Sequence, residues 1–140
     1  MTSPSPGAPS GGSADAERLL VLIVDDDDKN LKLARDVLRA GGFRTLEAAS
    51  GVEGIALAAE HLPDVILMDL RLPDMDGMDA AQKLGEEART ARIPVVALSS
   101  VPVGDAAWFL AAGFAGYLEK PLRVSEFSDQ VRRYCVATER

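Results

Sequence analysis

The chain has 140 residues, a net charge of −7 and 47% hydrophobic residues, which is enough for one domain with a real core. Its acidic balance, without a basic cluster, argues against direct binding of nucleic acid. The single cysteine, Cys135, excludes an internal disulfide, and no apolar run has the length of a membrane span or the form of a secretory signal. We therefore expect a soluble, cytoplasmic protein in a reducing compartment, with no membrane insertion.

The chain divides into a short tail and one domain. Residues 1–17 are rich in Ser, Pro, Gly and Ala, and no apolar side chain after Met1 is larger than Ala or Pro. Such a segment cannot bury enough surface to offset the entropy cost of ordering it, so we predict a disordered tail. Residues 18–138 have the pattern of a folded domain.

In this domain, short apolar runs alternate with segments that have apolar residues at helical spacing. The predicted strands are Leu19–Val24, Phe43–Ala48, Asp64–Asp69, Pro94–Ser99 and Gly116–Glu119. The predicted buried faces of the intervening and final helices are Leu31, Ala34, Val37 and Leu38; Val52, Ile55 and Ala59; Met78, Ala81 and Leu84; Ala107, Leu110 and Ala111; and Val124, Phe127, Val131 and Tyr134. This alternation predicts an α/β fold, a five-stranded parallel sheet with helices on both sides.

Two doubly wound strand orders are common at this size, and one of them predicts a candidate site. In the doubly wound order 2-1-3-4-5 of flavodoxin-like (βα)5 domains, strands 1 and 3 are neighbours, and ligands bind between their carboxyl ends. Asp25 and Asp26 follow strand 1, and Asp69 ends strand 3. At about 4 Å two carboxylates repel by about 4 kcal/mol at an effective dielectric of 20, so these acids predict a bound divalent cation. A lone Asp69 would be interpreted as a helix cap or a loop acid.

The acidic run after strand 1 is longer than one cation site needs. Alternate side chains of an extended strand end point in opposite directions, so adjacent acids cannot share one ligand shell equally. We predict Asp28 as the N-cap or first-turn acid of the next helix, where the helix dipole favours a negative charge. Asp27 is predicted to be a loop residue.

Two further strand ends lie on the same rim. Ser99 and Ser100 end the fourth strand, and Lys120 follows the fifth. Ser99 offers a hydroxyl donor and Lys120 a compact positive charge. Together with the carboxylates they supply what an incoming phosphoryl group needs: a metal, an acceptor oxygen, a hydroxyl donor and a cation.

These segments resemble the receiver domain of two-component response regulators, of the stand-alone, single-domain type. The segments that match, in order, are Ile23-Val24-Asp25-Asp26, Met68–Gly77, Pro94–Ser99 and Gly116–Pro121. The resemblance implies a sensor histidine kinase or phosphotransfer protein as phosphoryl donor and a downstream protein target in phosphorelay signal transduction. It also implies a cis Lys120–Pro121 bond. No output domain follows the last helix, which is expected of a stand-alone receiver or of an excised piece.

The resemblance implies a role for each residue of the acidic site. Asp69 would be the phosphoryl acceptor. Mg²⁺ (or Mn²⁺) would be bound by Asp26, by Asp69 and by the backbone carbonyl of Arg71, with Asp25 acting through a bound water. Lys120 would bind a phosphoryl oxygen. The Arg71 side chain would also cover the acyl phosphate and lengthen its lifetime.

The resemblance also implies a switch. Ser99 would bind the phosphoryl group, and Tyr117 would change its rotamer in response. Val101, where the family tunes the phosphoryl lifetime, cannot position an attacking water, so self-dephosphorylation is expected to be slow. The output face would contain Trp108, Phe114 and Tyr117. Whether phosphorylation also drives the formation of a homodimer is left open by the sequence.

Three alternatives compete with this interpretation. An atypical receiver would act by constitutive protein binding without phosphorylation. A small Mg²⁺-dependent phosphohydrolase with an aspartyl nucleophile would need a second aspartate two positions after Asp69, where this chain has Arg71. A flavodoxin-like cofactor protein would need a phosphate-binding loop after strand 1, where acids would repel the phosphate. The resemblance implies a phosphoacceptor signalling domain that promotes its own phosphorylation and dephosphorylation, and not an enzyme in the ordinary sense.

Overall fold

The computed structural model describes residues 18–100 and 106–138, but for residues 106 and 136–138 it describes the backbone alone. The predicted tail, residues 1–17, and Val101 lie outside the described residues. The elements in chain order are β1 (Leu20–Val24), α1 (Asp28–Ala40), β2 (Arg44–Ala48), α2 (Gly51–His61), β3 (Val65–Asp69), α3 (Gly77–Glu86), β4 (Val95–Ser99), α4 (Ala106–Ala111), β5 (Gly116–Glu119) and α5 (Val124–Thr138).

The strands form one parallel sheet with the order β2-β1-β3-β4-β5. This confirms the predicted 2-1-3-4-5 order and the flavodoxin-like fold. The first four strands begin one residue later than predicted, and β5 has the predicted limits. Pro94 has no backbone N–H to donate to a sheet ladder, and β4 begins at the next residue, Val95. The backbone N–H of Phe43 donates to the carbonyl of Leu38 at the end of α1 at 3.0 Å, and β2 begins at the next residue, Arg44.

The sheet separates two hydrophobic clusters. One cluster, beneath α1 and α5, contains large side chains such as Leu38, Phe43 and Phe127. The other, beneath α2, α3 and α4, is rich in alanine and includes Ala58 and Ala80. Strands β1, β3 and β4 are buried almost throughout, as their continuous apolar runs predict. Among the described residues, no helix combines the length and apolarity that a membrane span requires.

The buried faces of α2 and α4 differ from those predicted. Helix α2 packs through Gly54 and Ala58, while Val52 is 62% exposed. A Cβ at Gly54 would lie 2.8 Å from a methyl of Val24, so small residues bring this helix close to β1. In α4 the buried residue is Phe109, and Leu110 is 57% exposed. The other exposed members of the predicted faces are Met78, Ala107, Ala111 and Val124.

The ends of α1 show one correction. Asp27, predicted as a loop residue, is the N-cap, and its Oδ1 accepts the N–H groups of Lys29 at 2.9 Å and Asn30 at 3.4 Å. Asp28 is the acid of the first turn, one of its two predicted positions. The Gly41-Gly42 pair ends the helix, with Gly42 at φ 95°.

Candidate functional site

Three carboxylates converge at the carboxyl end of the sheet. Val24 of β1 pairs with Met68 of β3, so the residues that follow each of them emerge side by side. One carboxylate oxygen each from Asp25, Asp26 and Asp69 lies within 4.8 Å of the others. These hard oxygen ligands suit Mg²⁺ or Ca²⁺ rather than a softer metal. The donor set therefore fits the predicted cation.

Asp25 is the buried member of this group. Its side chain is only 1% exposed. Its Oδ1 accepts the N–H of Asp27 at 2.9 Å, and its Oδ2 accepts from Nζ of Lys120 at 3.0 Å. Both oxygens are thus paired, which is the condition for burying a carboxylate at tolerable cost.

Lys120 links the two strand ends. Its Nζ contacts Oδ2 of Asp25 at 3.0 Å and Oδ2 of Asp69 at 3.2 Å. Burial alone lowers the pKa of Lys120, but the hydrogen bond and charge of Asp25, followed by those of Asp69, outweigh burial and raise the pKa above its ordinary value. Its backbone N–H donates to the carbonyl of Ser99 at 2.7 Å, and the Lys120–Pro121 bond is cis, as the resemblance implied. The lysine therefore remains cationic between two carboxylates.

Asp69 lies at the mouth of the cleft with its side chain 14% exposed. Its Oδ1 accepts the backbone N–H of Arg71 at 3.1 Å. Burial has the largest effect on the pKa of Asp69 and raises it, and the charge of Asp25 acts in the same direction. The N–H of Arg71 and the charge of Lys120 lower this pKa, but the net result is an increase. Burial and the Asp25 charge thus make the ionised form of Asp69 costly, and a divalent cation would reduce that cost.

The loop after Asp69 has a compact base. The N–H of Gly77 donates to the carbonyl of Leu70 at 2.9 Å, and Arg71 forms an antiparallel bridge with Asp76. A Cβ at Gly77 would collide with the backbone carbonyl of Asp69, so a residue without a side chain is required. The cleft above this loop has a volume of about 460 Å³ and is lined by Asp25, Asp26, Asp27, Asn30, Asp69, Arg71, Leu72, Pro73, Ser100 and Lys120.

The two serines at the end of β4 occupy different positions. Ser99 is 5% exposed and lies next to Glu119 of β5 in the sheet. Ser100 lines the cleft. Asn30, in the first turn of α1, also lines the cleft, and sequence reasoning did not find it. Its only signal was its place two residues after the acidic run.

An aromatic cluster lies behind β4 and β5. The rings of Phe109 and Tyr117 stack at 5.1 Å with an interplanar angle of 23°, and Trp108 meets Phe109 edge-on at 4.8 Å. Trp108 is 49% exposed, but Phe114 is 2% exposed and packs against Phe109. Phe114 therefore belongs to the core, and its prediction as part of the output face is wrong. Sequence reasoning missed Phe109 because the spacing of α4 favoured Leu110.

The fold and the acidic cleft are those of a receiver domain. Residues 21–132 match the family model of the response regulator receiver domain. The match spans most of the chain, and the chain therefore belongs to this family. Receiver domains are signalling domains that bind Mg²⁺ at their acidic pocket and interact with histidine kinases or phosphotransfer proteins and with downstream targets.

Individual relatives agree with this assignment. The polar-differentiation response regulator DivK of Brucella ovis is 36% identical over 115 residues, which cover 81% of this chain and 94% of that relative. The Francisella response regulator 1452 receiver domain has a TM-score of 0.78 and 27% identity, with 86% of this chain and 99% of that chain covered. The receiver domain of sensor histidine kinase PA1611 from Pseudomonas aeruginosa has a TM-score of 0.77, 29% identity and coverage of 85% and 98%. That structure contains a magnesium ion coordinated in its active site cleft.

Proposed function

We propose that Asp69 accepts a phosphoryl group from a histidine kinase or phosphotransfer protein in a Mg²⁺-dependent reaction, and that this changes the binding of the chain to a downstream protein in the cytoplasm. The observation that carries the proposal is the convergence of Asp25, Asp26 and Lys120 around the partly exposed carboxylate of Asp69. These are the polar groups that a receiver domain needs in order to accept a phosphoryl group.

Asp69 supplies the acceptor oxygen. A carboxylate oxygen of Asp69 forms a bond to phosphorus as the bond between phosphorus and the donor nitrogen breaks, and the electron pair of that bond leaves with the nitrogen. The product is an acyl phosphate on Asp69. Its negative charge develops beside Lys120, whose Nζ already lies 3.2 Å from Asp69 Oδ2.

Four groups would hold the cation. Asp26 and Asp69 would bind Mg²⁺ or Mn²⁺ directly, with the backbone carbonyl of Arg71, and Asp25 would hold a bound water. The bound cation supplies positive charge that offsets the repulsion between the carboxylates and the phosphoryl group. The proposal is supported by the three carboxylates around a single lysine, and by the pKa of Asp69, which burial and then the Asp25 charge raise despite Arg71 and Lys120.

The remaining residues would convert phosphorylation into a change of surface. Lys120 would turn from the carboxylates towards a phosphoryl oxygen, and the hydroxyl of Ser99 would donate to another. Because Ser99 is 5% exposed, we expect this bond to form together with a shift at the end of β4. Tyr117, stacked on Phe109 behind it, would follow, and Trp108 offers an exposed aromatic ring for a partner. Phosphoryl lifetime would be tuned by the residues at positions 71 and 101.

Intact mass after incubation with Mg²⁺ and a small acyl phosphate tests this proposal. We expect one added phosphoryl group in the wild type and none in Asp69→Asn. Asp79→Asn, which changes an exposed acid of α3, is the matched control and should gain one group. Addition to Asp69→Asn would place the acceptor elsewhere. No addition to the wild type would contradict the proposal and favour constitutive protein binding.

A further inference from the structure

The N-terminus of α2 is capped by a residue from another part of the chain. Asp74 accepts the N–H of Gly51 with Oδ1 at 2.8 Å and the N–H of Val52 with Oδ2 at 2.9 Å. The local cap residue, Ser50, accepts the N–H of Glu53 at 3.2 Å. Amides at the start of a helix have no partner within the helix, so Asp74 satisfies two that Ser50 does not reach.

Asp74 belongs to the loop that follows Asp69. Gly77 closes the base of this loop, and Asp74 attaches its far side to α2. The next residue, Met75, adds an apolar contact, because a Cβ at Gly51 would lie 2.7 Å from Met75 Sδ. The loop is thus held against α2 by a charged contact and an apolar contact at neighbouring positions.

The charge of Asp74 suits this position. Hydrogen bonds from the amides of Gly51 and then Val52 lower the pKa of Asp74 below its ordinary value. The ionised carboxylate is the form that accepts both amides, and it interacts favourably with the positive end of the helix dipole. The anchor is therefore fully charged at neutral pH.

We propose that Asp74 is a positioning residue for the cation site: by anchoring the loop to α2, it holds the backbone of Arg71 and the carboxylate of Asp69 in the arrangement that receives the cation. The Arg71 N–H that donates to Asp69 Oδ1 at 3.1 Å lies in the same loop, three residues before Asp74. This inference rests on the proposed function.

Mn²⁺ affinity of the full chain, measured by electron paramagnetic resonance of the free ion, tests the proposal. In Asp74→Asn the amide has one acceptor oxygen and presents an NH₂ group to the second backbone N–H. We expect about three- to tenfold weaker binding, below the roughly 10- to 100-fold typical when a direct partner of a metal ligand is removed. Asp79→Asn loses the same charge outside the loop and should bind nearly as the wild type does.

Gly51→Ala tests the same contact without a change of charge. The added methyl group displaces Met75, so the loop should move from α2 and Mn²⁺ binding should again weaken. Hydrogen exchange of the metal-free protein adds a readout that needs no ion. The amides of residues 70–77 should exchange faster in both variants than in Asp79→Asn.

The outcomes distinguish the positioning role of Asp74 from the proposed function of the chain. If the wild type binds Mn²⁺ and Asp74→Asn binds it as tightly as Asp79→Asn does, Asp74 has no positioning role, although the proposed function stands. A lower melting temperature with unchanged affinity would likewise reduce Asp74 to a stabilising cap. A wild type that binds no Mn²⁺ would overturn the proposed function and, with it, the role of Asp74.

Discussion

The cleft has two halves that are built differently. The acidic half, Asp25, Asp26 and Asp69, follows β1 and β3, each of which has a strand on both sides. The hydroxyl half, Ser99 and Ser100, ends β4, whose outer neighbour β5 is the edge of the sheet. Lys120 follows that edge strand and reaches across to the acids. The carboxylates thus follow two neighbouring strands, whereas the serines and the lysine follow β4 and β5, the two strands at one side of the sheet.

The contacts within the two halves also differ. The described polar contacts of the acidic half include backbone amides that donate to Asp25 and Asp69. The hydroxyl half is backed by aromatic packing, with Phe109 stacked on Tyr117. Hydrogen bonds fix direction, whereas stacked rings can slide or exchange rotamers at lower cost. The comparison therefore predicts that the rings of Phe109 and Tyr117 adjust more readily than the carboxylates of Asp25 and Asp69, which backbone amides hold.

Replacing the residue that joins the halves should have the largest effect. Without metal, Lys120→Met should lower the free energy of unfolding by about 3–4 kcal/mol, because it leaves the buried carboxylate of Asp25 without its cation. Mg²⁺ should restore part of this loss by binding the folded state. Urea unfolding with and without Mg²⁺ measures both effects. Lys83→Met, at an exposed position of α3, is the control, and equal stability of the two variants would contradict the prediction.

Removing the ring behind the hydroxyl half should have the next largest effect. Phe109→Ala should lower the free energy of unfolding by about 3 kcal/mol, since Phe109 is 4% exposed and contacts Trp108, Phe114 and Tyr117. Phosphorylation of Asp69 should be retained, because the acidic half does not depend on this ring. Leu110→Ala, at the exposed neighbour, should change stability by less than about 0.5 kcal/mol. Loss of phosphorylation in Phe109→Ala would show that the halves are not separable.

The two serines provide a finer test. Ser99→Ala should slow phosphorylation by about tenfold or more, since the hydroxyl proposed to bind the phosphoryl group is lost. Ser100→Ala should change the rate little, although Ser100 lines the cleft and Ser99 is buried. Rates from the intact-mass time course decide between them. The opposite order would assign phosphoryl binding to Ser100 and remove the need for a shift of β4.

Titration of Tyr134 should show the smallest effect. Its hydroxyl lies against Gly116 of β5, and burial raises its pKa above 10.0, while a hydrogen bond from the Tyr117 backbone opposes the increase. The stability that the protonated hydroxyl contributes is fully present below the unfolded value of 10.0 and is lost as pH rises through the raised folded value. Tyrosinate absorbance should show a late component that disappears in Tyr134→Phe. An unchanged titration curve would mean that the contact with β5 is loose.

Local sequence patterns were sufficient to predict the fold and the acidic cluster. Continuous apolar runs bounded by turns determined β1, β3 and β4 to within one residue, since burial on both faces demands such runs. Asp25, Asp26 and Asp69 follow directly from those strand ends and from the strand order. Val101 lies outside the described residues, so its role in lifetime stays a prediction, as do the roles of the other site residues.

Tertiary packing decided what periodicity could not. The spacing of apolar residues favoured Leu110 and Val52, but the buried residues are Phe109 and Gly54, because the distance to the neighbouring strand determines which side chain fits. The contact of Asp74 with the amide of Gly51 joins positions 23 residues apart, and no local pattern contains it. Sequence by itself therefore determined which residues end each strand, whereas the tertiary structure decided which of them meet, because that depends on contacts between distant segments.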